Sequence, residues 1–214
     1  MGVNMAGYCI SDDEACCEAS RDEIIRRYFS ALCSQRLGFS GSSEVRKIEL
    51  IMNSLGLTAE DRKVVLPARN IAESTGAPAV AIELPDGKIV TGKTSSLLGA
   101  SSACLLNALK TLAGIDDSIH LISPAVIEPI QQLKLRHMGN HNPRLHTDEI
   151  LIALSICALT DENAKRAMNQ LGALKNCEVH STVILSRVDE NVFHKLGTHL
   201  TCDPKYSTKK LYHR

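Results

Sequence analysis

Apolar residues in the first sixty positions recur at helical spacing. Ala15, Ile25, Phe29 and Leu32 share one side of a helix running to about Cys33. Ile48, Ile51, Met52 and Leu55 share one side of a second helix, from about Glu44 to Leu55. Ser11-Asp12-Asp13-Glu14 reads as a capping box, with Ser11 as N-cap and Glu14 three residues later. Gly38 to Ser43 is a short break, and Gly56 is the expected stop of the second helix. Residues 1–57 are therefore predicted to form a helical arm. Its apolar side, formed by Ile25, Phe29, Ile48 and Met52, is expected to be partly open or covered by another subunit. Residues 1–10 read as a loop cut from something larger, and the arm as the end of a missing N-terminal half.

From Thr58 the pattern changes. Pro67 suits the first turn of a helix that ends at Gly76. Ala79 to Leu84 and Lys88 to Thr91 are β-rich runs on either side of Pro85-Asp86-Gly87, which predicts a hairpin. A helix over about Ala100 to Ala113 stops at Gly114. A short strand is expected at Ile119 to Ile122, and Ser123-Pro124 opens a helix to about His137. After the polar loop Gly139 to His146, Thr147 is expected to cap Asp148 to Leu159, and Thr160 a helix to about Leu171. Val179 to Leu185 is the clearest strand, followed by a helix over Asp189 to Leu196 and a last strand over Thr198 to Cys202. Strands alternating with helices define an α/β layered domain over residues 58–206, with a basic tail over 207–214.

Composition narrows the partners. Aromatics are only 3% of the chain and Trp is absent, so the core is aliphatic and base-stacking platforms are scarce. The formal charge is zero, with 24 basic and 24 acidic residues, which disfavours a non-specific nucleic-acid binder. No apolar run approaches the ~20 residues of a membrane span, and no signal peptide is visible at Met1 to Ile10. The eight cysteines contain no C-x-x-C pair. Reduced thiols in a cytoplasmic protein are the simplest expectation. Cys177, His180, His146 and Cys202 are conceivable zinc ligands but come from distant segments, so no metal site is expected. No cofactor is assigned.

Three segments carry candidate chemistry. Gly87 to Thr94 matches the phosphate-loop pattern G-x-x-x-x-G-K-[ST], which would put Lys93 and Thr94 on a substrate phosphate. Its interior, Ile89-Val90-Thr91, is β-branched and favours an extended strand instead. Asn142-Pro143-Arg144-Leu145-His146-Thr147-Asp148 leads into a predicted helix N-terminus, a ready anion site. There Asn142 and Arg144 are candidate substrate ligands, and His146 and Asp148 candidate catalytic groups. His180-Ser181-Thr182 is a polar cluster on an otherwise apolar strand. His180 and Ser181 are candidate catalytic groups and Thr182 a binding group, although adjacent strand residues point apart, so His180 does not activate Ser181. The loop and the strand are expected to share one pocket.

Several long words of the sequence resemble one bacterial family, DUF1846, also called UPF0371. They include Met1 to Cys9, Leu84 to Thr94, Leu98-Gly99-Ala100-Ser101-Ser102, His120 to Pro124, Asn142 to Glu149 and Cys177 to Leu185. The resemblance implies that this chain is similar to the C-terminal portion of longer proteins whose upstream half carries its own Gly-rich, phosphate-loop-like segment. It implies no reaction. A weaker similarity is to the cytidine-deaminase-like fold, where a helix, an Asp-Gly hairpin and a helix with an Asn-Ala-Leu stretch follow one another; here Asn107-Ala108-Leu109 stands in that place. The deaminase motif H-x-E or C-x-E with a downstream P-C-x-x-C is missing, since Ser101-Ser102-Ala103-Cys104 opens the helix, so the zinc chemistry is not expected. Two functions follow: an enzyme domain acting on a small anionic or nucleotide-like substrate, or a non-catalytic domain that regulates, oligomerises or docks to the missing half.

Overall fold

A computed structural model describes residues 12–207. Ser11 and all but the first residue of the basic tail lie outside that range. The chain divides into two units after Arg62.

The first unit contains α1 (Asp13–Leu37) and α2 (Ser42–Leu55), which pack on one another. Asp12 is the N-cap of α1, its carboxylate accepting from the Ala15 N–H. Gly38 and Gly56 end the two helices at φ 80° and 65°, a left-handed conformation in which a side chain would be strained. Ile25, Phe29 and Met52, expected on an open side, are buried, and Ile48 is half-buried. Among the described residues of this unit, the large exposed apolar side chains are Phe39, Leu50, Ile51 and Leu55.

The second unit is a mixed α/β layer. It contains α3 (Val65–Thr75), β1 (Ala79–Glu83), β2 (Ile89–Lys93), α4 (Ala100–Leu112), α5 (Pro124–Arg136), α6 (Thr147–Cys157), α7 (Glu162–Met168), β3 (Glu178–Ser181), α8 (Arg187–Lys195) and β4 (His199–Cys202). The strand order is β2-β1-β3-β4; β1 runs antiparallel to both neighbours, and β3 and β4 are parallel. Between β1 and β2 the Leu84 N–H donates to the Lys88 carbonyl, the Gly87 N–H to the Leu84 carbonyl, and Gly87 sits at φ 80°. The segment matching the phosphate-loop pattern is therefore a turn followed by a strand, not a loop wrapped before a helix.

Cross-strand partners share a face, so the register sorts side chains between two layers. Val80, Ile82 and Val179 join the main core with Leu105 and Leu109 of α4, Ile150 and Leu154 of α6 and Phe193 of α8. Ala81 faces the other way, onto Val64 and Ala68 at the start of α3. Gly92 pairs with Val80 and lies directly under α4: a Cβ there would sit 2.1 Å from the Cys104 backbone nitrogen. The second glycine of the phosphate-loop-like word thus lets a helix backbone close on the sheet.

Two expected strands differ. Ile119 to Ile122 is not a strand, although Leu121 and Ile122 are buried in the main core. Four residues with no neighbouring strand have only burial to satisfy, and a turn provides it. The predicted strand over Val179 to Leu185 is Glu178–Ser181. Beyond Ser181 the Ser181 hydroxyl donates to the Val183 carbonyl two residues on, the Thr182 hydroxyl donates to the Ala79 carbonyl of β1, and the chain runs on to α8.

Candidate functional site

The N-cap of α6 is His146, one residue before the Thr147 expected from sequence. Its backbone N–H donates to Glu149 Oε2 at 2.8 Å, the reciprocal half of a capping box. The same carboxylate oxygen accepts from Lys134 Nζ at 2.6 Å, and Lys134 also donates to the Arg144 carbonyl at 2.7 Å. The Lys134 side chain is only 2% exposed, so this cation is spent on holding the residues before α6 in place.

The ring of His146 is fixed from the other side. Its Nδ1 lies 3.0 Å from Asp189 Oδ2, on α8. Asp189 is in turn surrounded by donors. Thr147 N–H and Oγ1–H both donate to its Oδ1, at 2.9 and 3.0 Å, and Ser186 Oγ–H donates to Oδ2 at 2.8 Å. Ser186 is the N-cap of α8 and accepts from the Asp189 N–H. The two helix N-termini therefore face each other across one carboxylate. Burial alone would raise the Asp189 pKa, but the His146 hydrogen bond and charge, the Thr147 N–H and the Ser186 hydroxyl outweigh it and hold it below the usual value. The Asp189 hydrogen bond conversely raises His146 above its ordinary 6.5, against burial and the nearby Lys134. A donating Nδ1–H leaves Nε2 as the working nitrogen. Nε2 has no hydrogen-bond partner among the described residues, and the side chain is 30% exposed. A carboxylate-oriented imidazole with one open nitrogen can give and take a proton.

The loop after β2 lies alongside. Leu98 bridges Leu145 in parallel, the Gly99 N–H donates to the Leu145 carbonyl, and Ser102 Oγ–H donates to that carbonyl at 2.9 Å. Arg144 Nε donates to the Ser95 carbonyl at 2.6 Å, leaving its terminal guanidinium nitrogens without a hydrogen-bond partner among the described residues. Asn142 Oδ1 accepts from the Arg144 N–H. Thr94, next to Ser95, is tied through its N–H to the Pro78 carbonyl, and Lys93 is exposed at the end of β2. The start of α4 and the start of α6 are thus tied side by side, with Arg144 and His146 at the junction.

The structure does not bring His180 to this place. His180 pairs with Ala81 in register and faces the α3 side, whereas His146 belongs to the α6–α8 side. His180 is fully buried, its Nδ1 2.9 Å from Thr201 Oγ1 and its Nε2 3.5 Å from Asp203 Oδ1. Asp203 also accepts from Arg69 through Nε at 3.2 Å and Nη2 at 2.7 Å. Burial would raise the Asp203 pKa, but His180 and Arg69 outweigh it and hold it far below the usual range. Ser181 Oγ–H donates to the Val183 carbonyl, and Thr182 clamps both backbone groups of Ala79. Asp148 is exposed and accepts from the Glu149 N–H; it does not touch His146. His180 therefore belongs with Asp203 and Arg69, not with the residues that contact the His146 ring. Among the described residues no group of three or more His, Cys, Asp and Glu side chains is placed to hold a metal.

Sequence reasoning missed Asp189, Ser186, Lys134, Glu149, Arg69 and Asp203. One signal was present: Ser186-x-x-Asp189 before an amphipathic stretch is a capping pattern. Nothing local marks the pairing of Asp189 with His146, forty-three residues apart.

Comparison with known proteins matches residues 1–56 to the family profile described as "Domain of unknown function DUF1846, N-terminal" and residues 60–212 to "Domain of unknown function DUF1846, C-terminal". The first of these corrects the expectation that only a C-terminal portion is represented. A UPF0371 protein of Corynebacterium diphtheriae is 56% identical over 214 residues, one of Corynebacterium glutamicum 55%, and one of Streptococcus pyogenes serotype M5 54%. Each match covers 100% of this chain and 43% of the relative, so the chain spans less than half the length of these proteins.

Proposed function

The chain belongs to the DUF1846 family, and for its α/β unit we propose an enzymatic role: proton transfer by His146 on a small anionic or nucleotide-like substrate held by Arg144. The observation that carries this reading is the pair His146–Asp189, with Nε2 open and Asp189 held ionised by four donors. The unengaged end of the Arg144 guanidinium, two residues away, supplies a fork for a carboxylate or phosphate. The starts of α4 and α6 add N–H groups and the positive ends of their dipoles. Lys93 and Thr94 stand near the Ser95 anchor of Arg144 and extend the binding surface. The sequence of α3, β1, β2 and α4 supports the likeness to the cytidine-deaminase-like arrangement, with Ser101 and Ser102 where its zinc motif would open the helix. His180, Ser181 and Thr182 act as support in this reading, not as reacting groups.

The test is binding of inorganic phosphate, acetate and nucleoside monophosphates by calorimetry. Saturable binding that Arg144→Ala and His146→Gln each weaken at least tenfold, with little change in melting temperature, is the expected result. A full set of such anions with no saturable binding would sink the reading. A second reading, self-association, is supported by one observation: Ile152, Ile156 and Leu159 are exposed at i, i+4, i+7 spacing along and just past α6. Light scattering that gives a monomer at high concentration would exclude it.

A further inference from the structure

Two polar clusters lie on opposite faces of the sheet, and one short segment joins them. On the α3 face, Asp203 gathers Arg69 in a two-point contact, His180, and Lys205 at 3.6 Å. Asp203 follows β4 directly and is 1% exposed. Its backbone N–H donates to the Ser181 carbonyl at 2.8 Å, and two residues on the Lys205 carbonyl accepts from the Ile184 N–H, also at 2.8 Å. The stretch from Asp203 to Lys205 therefore prolongs β4 along the residues that follow β3. Those residues run without interruption into Ser186 and Asp189, the two groups that fix the His146 ring on the other face.

A carboxylate this buried is stable only while its partners stay in place; removing either side leaves a charge uncompensated. The cluster thus fixes the prolonged strand, and the strand fixes the path from Ser181 to Ser186. Asp189 tolerates little drift, because a proton-sharing contact at 3.0 Å is lost within a few tenths of an ångström.

We propose that Asp203, anchored by Arg69 and His180, is a positioning residue for His146, acting through the segment 181–189 and the Ser186–Asp189 pair. The inference rests on the assignment of His146 as the proton-transfer group. It gives the buried polar residues of β3 a purpose: His180 braces the support rather than meeting substrate.

The test is a proton NMR titration of His146 in the full chain, its resonance assigned by loss in His146→Gln. The charged groups that face this ring are Asp189, Glu149 and Lys134, and none of them is altered. In the parent protein His146 is expected to titrate above 6.5. Asp203→Asn should move that midpoint down toward the ordinary value. Because Asp203→Asn is liable to unfold, Arg69→Lys is the companion variant: it keeps the charge, loses the fork, and should produce a smaller shift in the same direction. Ile127→Val, which trims the main core far from segment 181–189 in sequence, is the control for general loosening and should leave the midpoint unchanged. A folded Arg69→Lys protein with the parent midpoint overturns the coupling while leaving the His146–Asp189 pair intact. A parent His146 that titrates at its ordinary value overturns the pair itself, and the coupling with it.

Discussion

At the scale of single residues, His146 makes the sharpest statement about pH. Its imidazolium form is favoured in the folded chain over the unfolded one by the Asp189 contact. The stabilisation is therefore fully present below the unfolded value of 6.5 and is lost as pH rises through the higher folded value. Urea melts of the parent and of His146→Gln should differ most in mildly acidic buffer, and the gap should close as pH rises past that folded value. A gap independent of pH would contradict the ion pair. Lys134 offers a second case. Its ammonium binds Glu149 and the Arg144 carbonyl from a position almost without water. Lys134→Met should cost roughly 1–3 kcal/mol, because Glu149 and the Arg144 carbonyl lose a charged hydrogen-bond donor. It should also weaken anion binding, because Arg144 loses the bond that holds its backbone. The candidate site was only half legible at this scale. His146 and Arg144 were visible as a polar loop before a helix start. Asp189 was not, because a carboxylate in a first helical turn is ordinary in sequence, and only the packing of α6 against α8 gives it a histidine to hold.

At the scale of elements, Gly92 decides how α4 meets the sheet. Gly92→Ala places a methyl group 2.1 Å from backbone that cannot give way, so α4 must lift from β2. The expected loss is several kcal/mol, on the order of 3 or more, read as a large drop in melting temperature or as insoluble protein. Gly87→Val tests a different property, since the turn needs a positive φ but has open space around the missing Cβ. There the loss should be only about 1–2 kcal/mol. Thermal melts of the two variants side by side separate steric contact from backbone strain; equal losses would refute this assignment. Elements whose local chemistry agreed with their surroundings were the readable ones. The Gly stops after α1, α2 and α3, the Pro-Asp-Gly turn and the Ser123 cap all stand where turn and cap chemistry put them. Ile119 to Ile122 misled because an apolar run reports burial alone, and a partner strand is a property of the fold rather than of the run.

At the scale of the whole molecule, the described residues of the main core and of both polar clusters belong to the second unit. A chain starting at residue 60, where the C-terminal family profile begins, should therefore melt cooperatively in calorimetry. A broad transition without a heat peak would show that the first unit is needed. The sheet itself has an uneven history. β1 and β2 are close neighbours in sequence, but β1 must wait for β3 about a hundred residues later, a long loop to close. During synthesis, α3, the hairpin and α4 can assemble while one edge of β1 still has no neighbour. Until β3 emerges, that edge offers free backbone groups to any passing strand. A ribosome pausing within α5 to α7 would hold the nascent chain in this state, so slow codons there should lower the soluble yield without changing a single residue of the finished protein.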